Sequence, residues 1–205
     1  MASGDTKLSI CSDALIMLGE APLTSFAGSD AGTVCDRLYD GIKISTLAMY
    51  PWSFTVTKLA LSRGTAPVNE YRYSYTLPTD LQRISGVRAV FNSSEVGAMP
   101  MQGGWEIQGN LLLSNEAAIV IDYQFEPEEF QLPTYFVQLL KYMLAWHIAE
   151  TVTDQITKAE YWRTIALGSP AENMRGGYFR VATNIDGSGK QNEAMSDFSL
   201  IQVRG

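Results

Sequence analysis

The sequence predicts an α+β protein: a four-helix bundle with an antiparallel β domain inserted between its second and third helices, then an extended C-terminal arm. Three observations carry this reading. The longest apolar run, 132–152 (LPTYFVQLLKYMLAWHIAETV), has the length and spacing of a central helix. After Pro51 the apolar period changes from about 3.6 to 2, and at residue 132 it changes back. From Thr183 onward the chain turns polar and Gly-rich before ending on an apolar tip. The expected parts are therefore 1–51 and 132–182 for the helices, 52–131 for the strands and 183–205 for the arm.

The first helix rests on Leu8, Cys11, Leu15 and Leu18, with Gly19 and Pro22 ending the pattern. A second, capped by Ser29 or Asp30, carries Val34, Leu38 and Ile42 on one face and stops at Pro51. Trp52, Phe54 and Val56 then alternate with polar residues, as do Tyr71, Tyr73, Tyr75 and Leu77, and both runs read as strands. Another strand is expected over 84–91. Trp105 and Ile107 should face Leu111 and Leu113 across a two-residue Gly109-Asn110 turn. Ile119, Ile121, Tyr123 and Phe125 complete five or six antiparallel strands with short connections, a small sheet or partly closed barrel.

In the central helix Pro133 suits the first turn, and Gln138, Lys141, Ala145 and Ala149 share one narrow face while apolar side chains occupy nearly all the rest. Little of it should meet water. Its polar residues argue against a membrane span. The single histidine, His147, falls on the apolar arc with Glu150 one turn on, which reads as a buried hydrogen-bonded pair rather than a catalytic one. Thr153 or Asp154 should cap a fourth helix bearing Ile156, Ala159, Trp162 and Ala166, broken by Gly168-Ser169-Pro170. A last helical stretch is expected over 171–175, with Gly176-Gly177 leading into Tyr178-Phe179.

Across 205 residues the net charge is −7 and the 15 Lys and Arg are scattered, which argues against a DNA-binding surface. An acidic surface can still serve DNA by repelling it, as a conduit wall would. Cys11 and Cys35 read as buried free thiols, and no cofactor or metal is implied. The N-terminus lacks a basic start followed by an apolar core, so synthesis and folding in the cytoplasm are expected. The loop 92–104 offers Met99 and Met101 either as an adaptable contact surface or as cover for the sheet. Glu126, Glu128 and Glu129 read as a solvated linker ahead of the central helix. No nucleophile and base occur at a recognisable spacing, and the Gly-rich pieces lack the strand-to-helix frame of a phosphate loop. A carboxylate-pair hydrolase stays open on composition, because such a pairing would be spatial.

Several segments resemble, in order, the head-to-tail adaptor family of short-tailed bacteriophages, also known as tail tubular protein A. They are Leu18-Gly19-Glu20-Ala21-Pro22 with Ser25, Leu38-Tyr39-Asp40, Tyr50-Pro51-Trp52-Ser53-Phe54, and Tyr75-Thr76-Leu77-Pro78-Thr79-Asp80-Leu81-Gln82-Arg83-Ile84. The Gly109-Asn110 hairpin, Asp122-Tyr123, and Leu132-Pro133 with Phe136, Leu140, Leu144-Ala145 and Ala149 continue the similarity, which covers 7–165. Gly168-Ser169-Pro170 departs from it by interrupting what is often a longer helix.

The resemblance implies a structural virion protein of the phage tail without enzymatic activity: a ring homo-oligomer, expected as a dodecamer, docked under the portal protein and forming the platform for the tail nozzle protein. Double-stranded DNA would pass through its lumen without specific binding, and no membrane is involved. On this reading Tyr178, Phe179, Phe198, Leu200 and Ile201 are the expected portal contacts, and Met99, Met101 and Trp105 face the nozzle. The alternative is a tail-associated peptidoglycan hydrolase, which would rely on carboxylates such as Glu126, Glu128, Glu129 or Glu150.

Overall fold

A computed structural model describes residues 5–67, 69–81, 86–95 and 98–188. Helices α1 (Lys7–Leu18) and α2 (Asp30–Ala48) precede strands β1 (Val56–Ala60), β2 (Tyr73–Thr76), β3 (Val87–Phe91), β4 (Trp105–Gln108), β5 (Leu111–Ser114) and β6 (Val120–Gln124). Helices α3 (Thr134–Thr153), α4 (Ile156–Leu167) and α5 (Gly177–Gly187) follow. The class is α+β as expected, but with five helices rather than four among the described residues.

Local chemistry sets the helix ends. Thr6 and Ser9 exchange side-chain and backbone hydrogen bonds at the start of α1, and Gly19, at φ +87°, closes it in the left-handed conformation that a Cβ disfavours. Ser29 caps α2 by accepting from the Gly32 N–H at 3.0 Å. Pro133 stands just outside α3 rather than in its first turn. Asp154 belongs to the end of α3, not the start of α4: at φ +51° it donates its N–H to the Glu150 carbonyl at 3.0 Å. The cap of α4 is Gln155, and Ile156 is exposed rather than part of a buried face.

The central helix is as enclosed as its sequence implies. Only Thr134, His147, Glu150 and Thr151 of α3 are exposed. It packs against α1, α2, α4 and α5. The expected polar stripe is itself covered, because Ala145 and Ala149 are buried and Lys141 ion-pairs with Asp13 of α1 at 2.6 Å. The expected buried His147–Glu150 pair does not form; both residues face solvent and the imidazole stacks on Trp146 at 4.1 Å. Cys11 and Cys35 are free and fully buried, as expected.

The largest departure lies at the start of the β region. Trp52 and Phe54 do not begin a strand; residues Ser53–Thr55 form a 3-10 turn, and Trp52 is fully buried among the helices. Its ring meets Tyr50, Phe54, Tyr135, Phe136 and Phe179 at centroid distances of 5.0 to 6.3 Å, and Nε1 donates to the Thr46 carbonyl at 3.3 Å. A large aromatic gains more from an enclosed core than from one face of a short strand.

The strands form two antiparallel three-stranded sheets, β1-β6-β3 and β2-β5-β4, rather than a single set. Both contribute to one apolar cluster, including Tyr75, Leu112, Ile121 and Tyr123. One flat sheet would leave an apolar face in water, and two layers bury it. The β4–β5 hairpin forms across Gly109-Asn110, but its two-residue turn pairs Gln108 with Leu111, so Ile107 meets Leu112 and Trp105 meets Ser114 rather than Leu111 and Leu113. Gly109 takes φ +59°, the conformation for which glycine suits a two-residue turn.

The C-terminal boundary also moves. Pro170–Glu172 form a 3-10 turn, and α5 extends past the expected arm start at 183 to Gly187. The α4–α5 reversal is close-packed: a Cβ at Gly168 would lie 2.8 Å from Gly176 Cα, and one at Gly177 2.6 Å from Gly168 N. Phe179, Ala182 and Asp186 form the buried stripe of α5. Asp186, 5% exposed, accepts from the Ser53 N–H at 3.1 and 3.0 Å, from Ser53 Oγ at 2.7 Å and from Tyr135 Oη at 2.7 Å. Burial raises the Tyr135 phenol pKa, and its bond to the carboxylate adds to the rise.

Removing this acceptor leaves the Ser53 N–H and the Ser53 and Tyr135 hydroxyls without the partner that joins α5 to the rest of the helices. Asp186→Ala is expected to cost about 3 kcal/mol in urea unfolding. Truncation after Ser188 should lower the midpoint less than Asp186→Ala does, whereas truncation after Ala182 should lower it at least as much as Asp186→Ala.

Candidate functional site

Lysine on the inner stripe of a helix demands a partner, and α2 presents Tyr39, Lys43 and Leu47 at successive i+4 positions, all buried. Lys43, 5% exposed, donates to Glu129 Oε1 at 2.9 Å and lies 3.8 Å from Glu126 Oε1. The acidic residues ahead of α3 are thus not simply a solvated linker. They clamp this segment to α2. Asp40, Asp80, Glu126 and Glu128 surround the pair at an open hollow of about 360 Å³.

Asp80 is held here by the Tyr123 hydroxyl, which donates to both carboxylate oxygens at 3.2 Å, and by the Glu126 N–H, which donates to its carbonyl at 3.0 Å. Burial alone would push the Glu129 carboxyl up, but the Lys43 hydrogen bond and charge carry it below the usual carboxylate range. Burial, then the Glu129 charge, raises the Tyr39 phenol pKa. The cluster contains no histidine or cysteine, and its ion pair joins the segment before α3 to α2.

The residues expected to face a nozzle separate by environment. Met99 is 83% exposed, whereas Met101 and Trp105 are partly buried against the apolar cluster of the sheets. The Met101 N–H donates to the Val90 carbonyl at 2.7 Å, which turns this side of the loop inward. Met101 thus folds back over the sheet, while Met99 stands exposed in the same loop.

Of the expected portal contacts, Tyr178 and Phe179 lie on α5, while Phe198, Leu200 and Ile201 fall outside the described residues. Phe179 is 5% exposed with its ring 6.1 Å from that of Trp52, so it anchors α5 instead of facing outward. Tyr178 is half-buried, edge-on to Tyr142 at 5.2 Å. The reachable apolar side chains of α5 are Val181 and Ile185, one turn apart, which the sequence reading did not single out. Their signal was present: positions 178, 181 and 185 form an outer stripe once a helix is recognised there.

Beside that helix lies an open groove of about 380 Å³ lined by Met49, Tyr50, Pro51, Arg175, Phe179 and Thr183. Among the described residues no helix is long and apolar enough to cross a membrane, and no group of three or more His, Cys, Asp or Glu could hold a metal ion. Compared with models of known protein families and with curated proteins, the chain matches none.

A carboxylate with a lowered folded pKa stabilises above its ordinary value of 4.5, and that contribution is lost as pH falls through the folded value. Glu129→Gln should therefore be less stable than the parent near neutrality. The difference should narrow on acidification below pH 4.5, as read by urea midpoints across the range.

Proposed function

We propose that this chain is a structural, non-enzymatic subunit of a short-tailed phage virion, a head-to-tail adaptor that docks under the portal ring and carries the tail nozzle. The observation that carries the reading is the ordered series of segments resembling that family over residues 7–165. Local roles of those segments support it. Leu18-Gly19 closes α1, Trp52 centres the helical core, Asp80 is held by Tyr123, and Leu132 and Phe136 are fully buried at and near the start of α3.

On this reading the helices act as one bundle from which the strands between α2 and α3 project as an inserted domain. Twelve copies would close a ring. The tail beyond Ser188 reaches the portal through Phe198, Leu200 and Ile201, with Tyr178, Val181 and Ile185 on the adjoining helix. Phe179 supports that helix from within the core. Met99 leads the contact with the nozzle, and Met101 and Trp105 shape the loop behind it. A net charge of −7 suits a lumen through which DNA must slide. Fully burying a phenylalanine, leucine or isoleucine side chain contributes about 1.5–3 kcal/mol, enough for three such residues to offset ordering a short tail.

Native mass measurement tests the proposal. The protein alone should be a small species, and on mixing with the portal protein of the same genome it should join the portal ring in one defined symmetric stoichiometry. A chain lacking 189–205 should remain folded and fail to join. No association of the full chain with an intact portal ring would overturn the assignment.

A further inference from the structure

The groove beside α5 and the end of that helix lie together. Tyr50 and Pro51 form part of its wall, and a Cβ at Gly187 would lie 3.9 Å from the Tyr50 hydroxyl, so the chain leaves the described structure at the groove's rim. Thr183, another lining residue, is five positions before Ser188, about 7.5 Å along a helix. Beyond Ser188 the sequence runs to residue 205 and contains Asp197-Phe198-Ser199-Leu200-Ile201. Asp197 lies nine positions beyond Ser188, a reach of up to about 30 Å and ample to turn back.

The chemistries also match. The groove presents Met49, Tyr50, Pro51 and Phe179, with Arg175 as the one basic residue among those that line it. The tail offers an aromatic and two aliphatic side chains directly after an aspartate. Arg175 is exposed.

We propose that in the free subunit the chain's own tail occupies this groove, Phe198 and Leu200 covering Met49, Tyr50 and Pro51 while Asp197 pairs with Arg175. The groove is then a latch for the segment that the portal takes in the assembly proposed above. It keeps the apolar tip from associating before a portal is present. The latch rests on the adaptor reading for its purpose, but its occupancy is measurable without any portal.

Thr183→Cys and Leu200→Cys are introduced together in the full chain and treated with a mild thiol oxidant at several protein concentrations. Peptide mapping should find a cross-link between the two positions within one chain, at a yield independent of concentration. Ile16→Cys with Leu200→Cys, which places one thiol on α1 outside the groove, should give several-fold less. Adding Arg175→Glu to the first pair should lower the yield about fivefold, because it sets like charges together.

A cross-link that joins two chains and grows with concentration would assign the groove to a neighbour's tail and overturn the latch. No preference over the Ile16 pair would do the same. Should the cysteine variants fold poorly, hydrogen exchange on full-length Phe198→Ser replaces them. Backbone amides around Tyr50 and Thr183 should exchange about threefold faster than in the parent, and equal rates would overturn the proposal. Failure of the parent chain, free of any cross-link, to join the portal when the variants cross-link as expected would instead count against the adaptor reading alone.

Discussion

A carboxylate taken out of water must be met by donors, and Asp186 meets its donors on two other parts of the chain. Ser53 brings the turn that follows α2, Tyr135 brings the first turn of α3, and α5 brings the carboxylate itself. Trp52 fills the space beside this junction, in contact with Phe136 of α3 and Phe179 of α5. The direction of α5 follows from the same constraint. Its N-terminal end is set by the tight Gly168–Gly177 reversal and its C-terminal end by Asp186, leaving Val181 and Ile185 no choice but to face outward.

How much of this was legible depended on whether the signal was periodic or relational. The helix α3, the β4–β5 hairpin and the Ser29 cap follow from spacing and local turn chemistry, and the structure contains each. Trp52 was misread because Trp52, Phe54 and Val56 satisfy the alternation of a strand, while their burial was decided by aromatic partners on α3 and α5. Asp186 was missed for a complementary reason. Its neighbours Asp186-Gly187-Ser188 look like solvated chain, and only its donors, more than fifty residues away or from the far side of the strands, explain a buried acid there.

Lys43 shows the same limit in the candidate site. Its place on the stripe with Tyr39 and Leu47 could be read from α2 alone. The identity of its partner could not, since Glu126, Glu128 and Glu129 offer the same side chain within one short stretch of sequence. The 3-10 turn of Glu129–Gln131 is what turns Glu129 toward α2. Polar groups on buried stripes are therefore the features by which this sequence announces long-range structure, without saying what they meet.

These two polar junctions also decide how the strands are held against the helices. Thr55 accepts at its carbonyl from the Phe125 N–H at 2.9 Å and at its hydroxyl from Gln124 Nε2 at 3.1 Å, so β6 is tied to the turn that carries Ser53. The Lys43–Glu129 pair ties the segment after β6 to α2. One joint alone would allow the sheets to pivot; two, built on the entering and leaving ends of the strand region, resist rotation. In the ring proposed above this would matter, because an angular error at one contact is repeated at every other. The hydrogen bonds at Thr55 and the ion pair at Lys43 would then stabilise the monomer modestly and serve chiefly to set the angle between the sheets, with their exposed Met99 loop, and the helices.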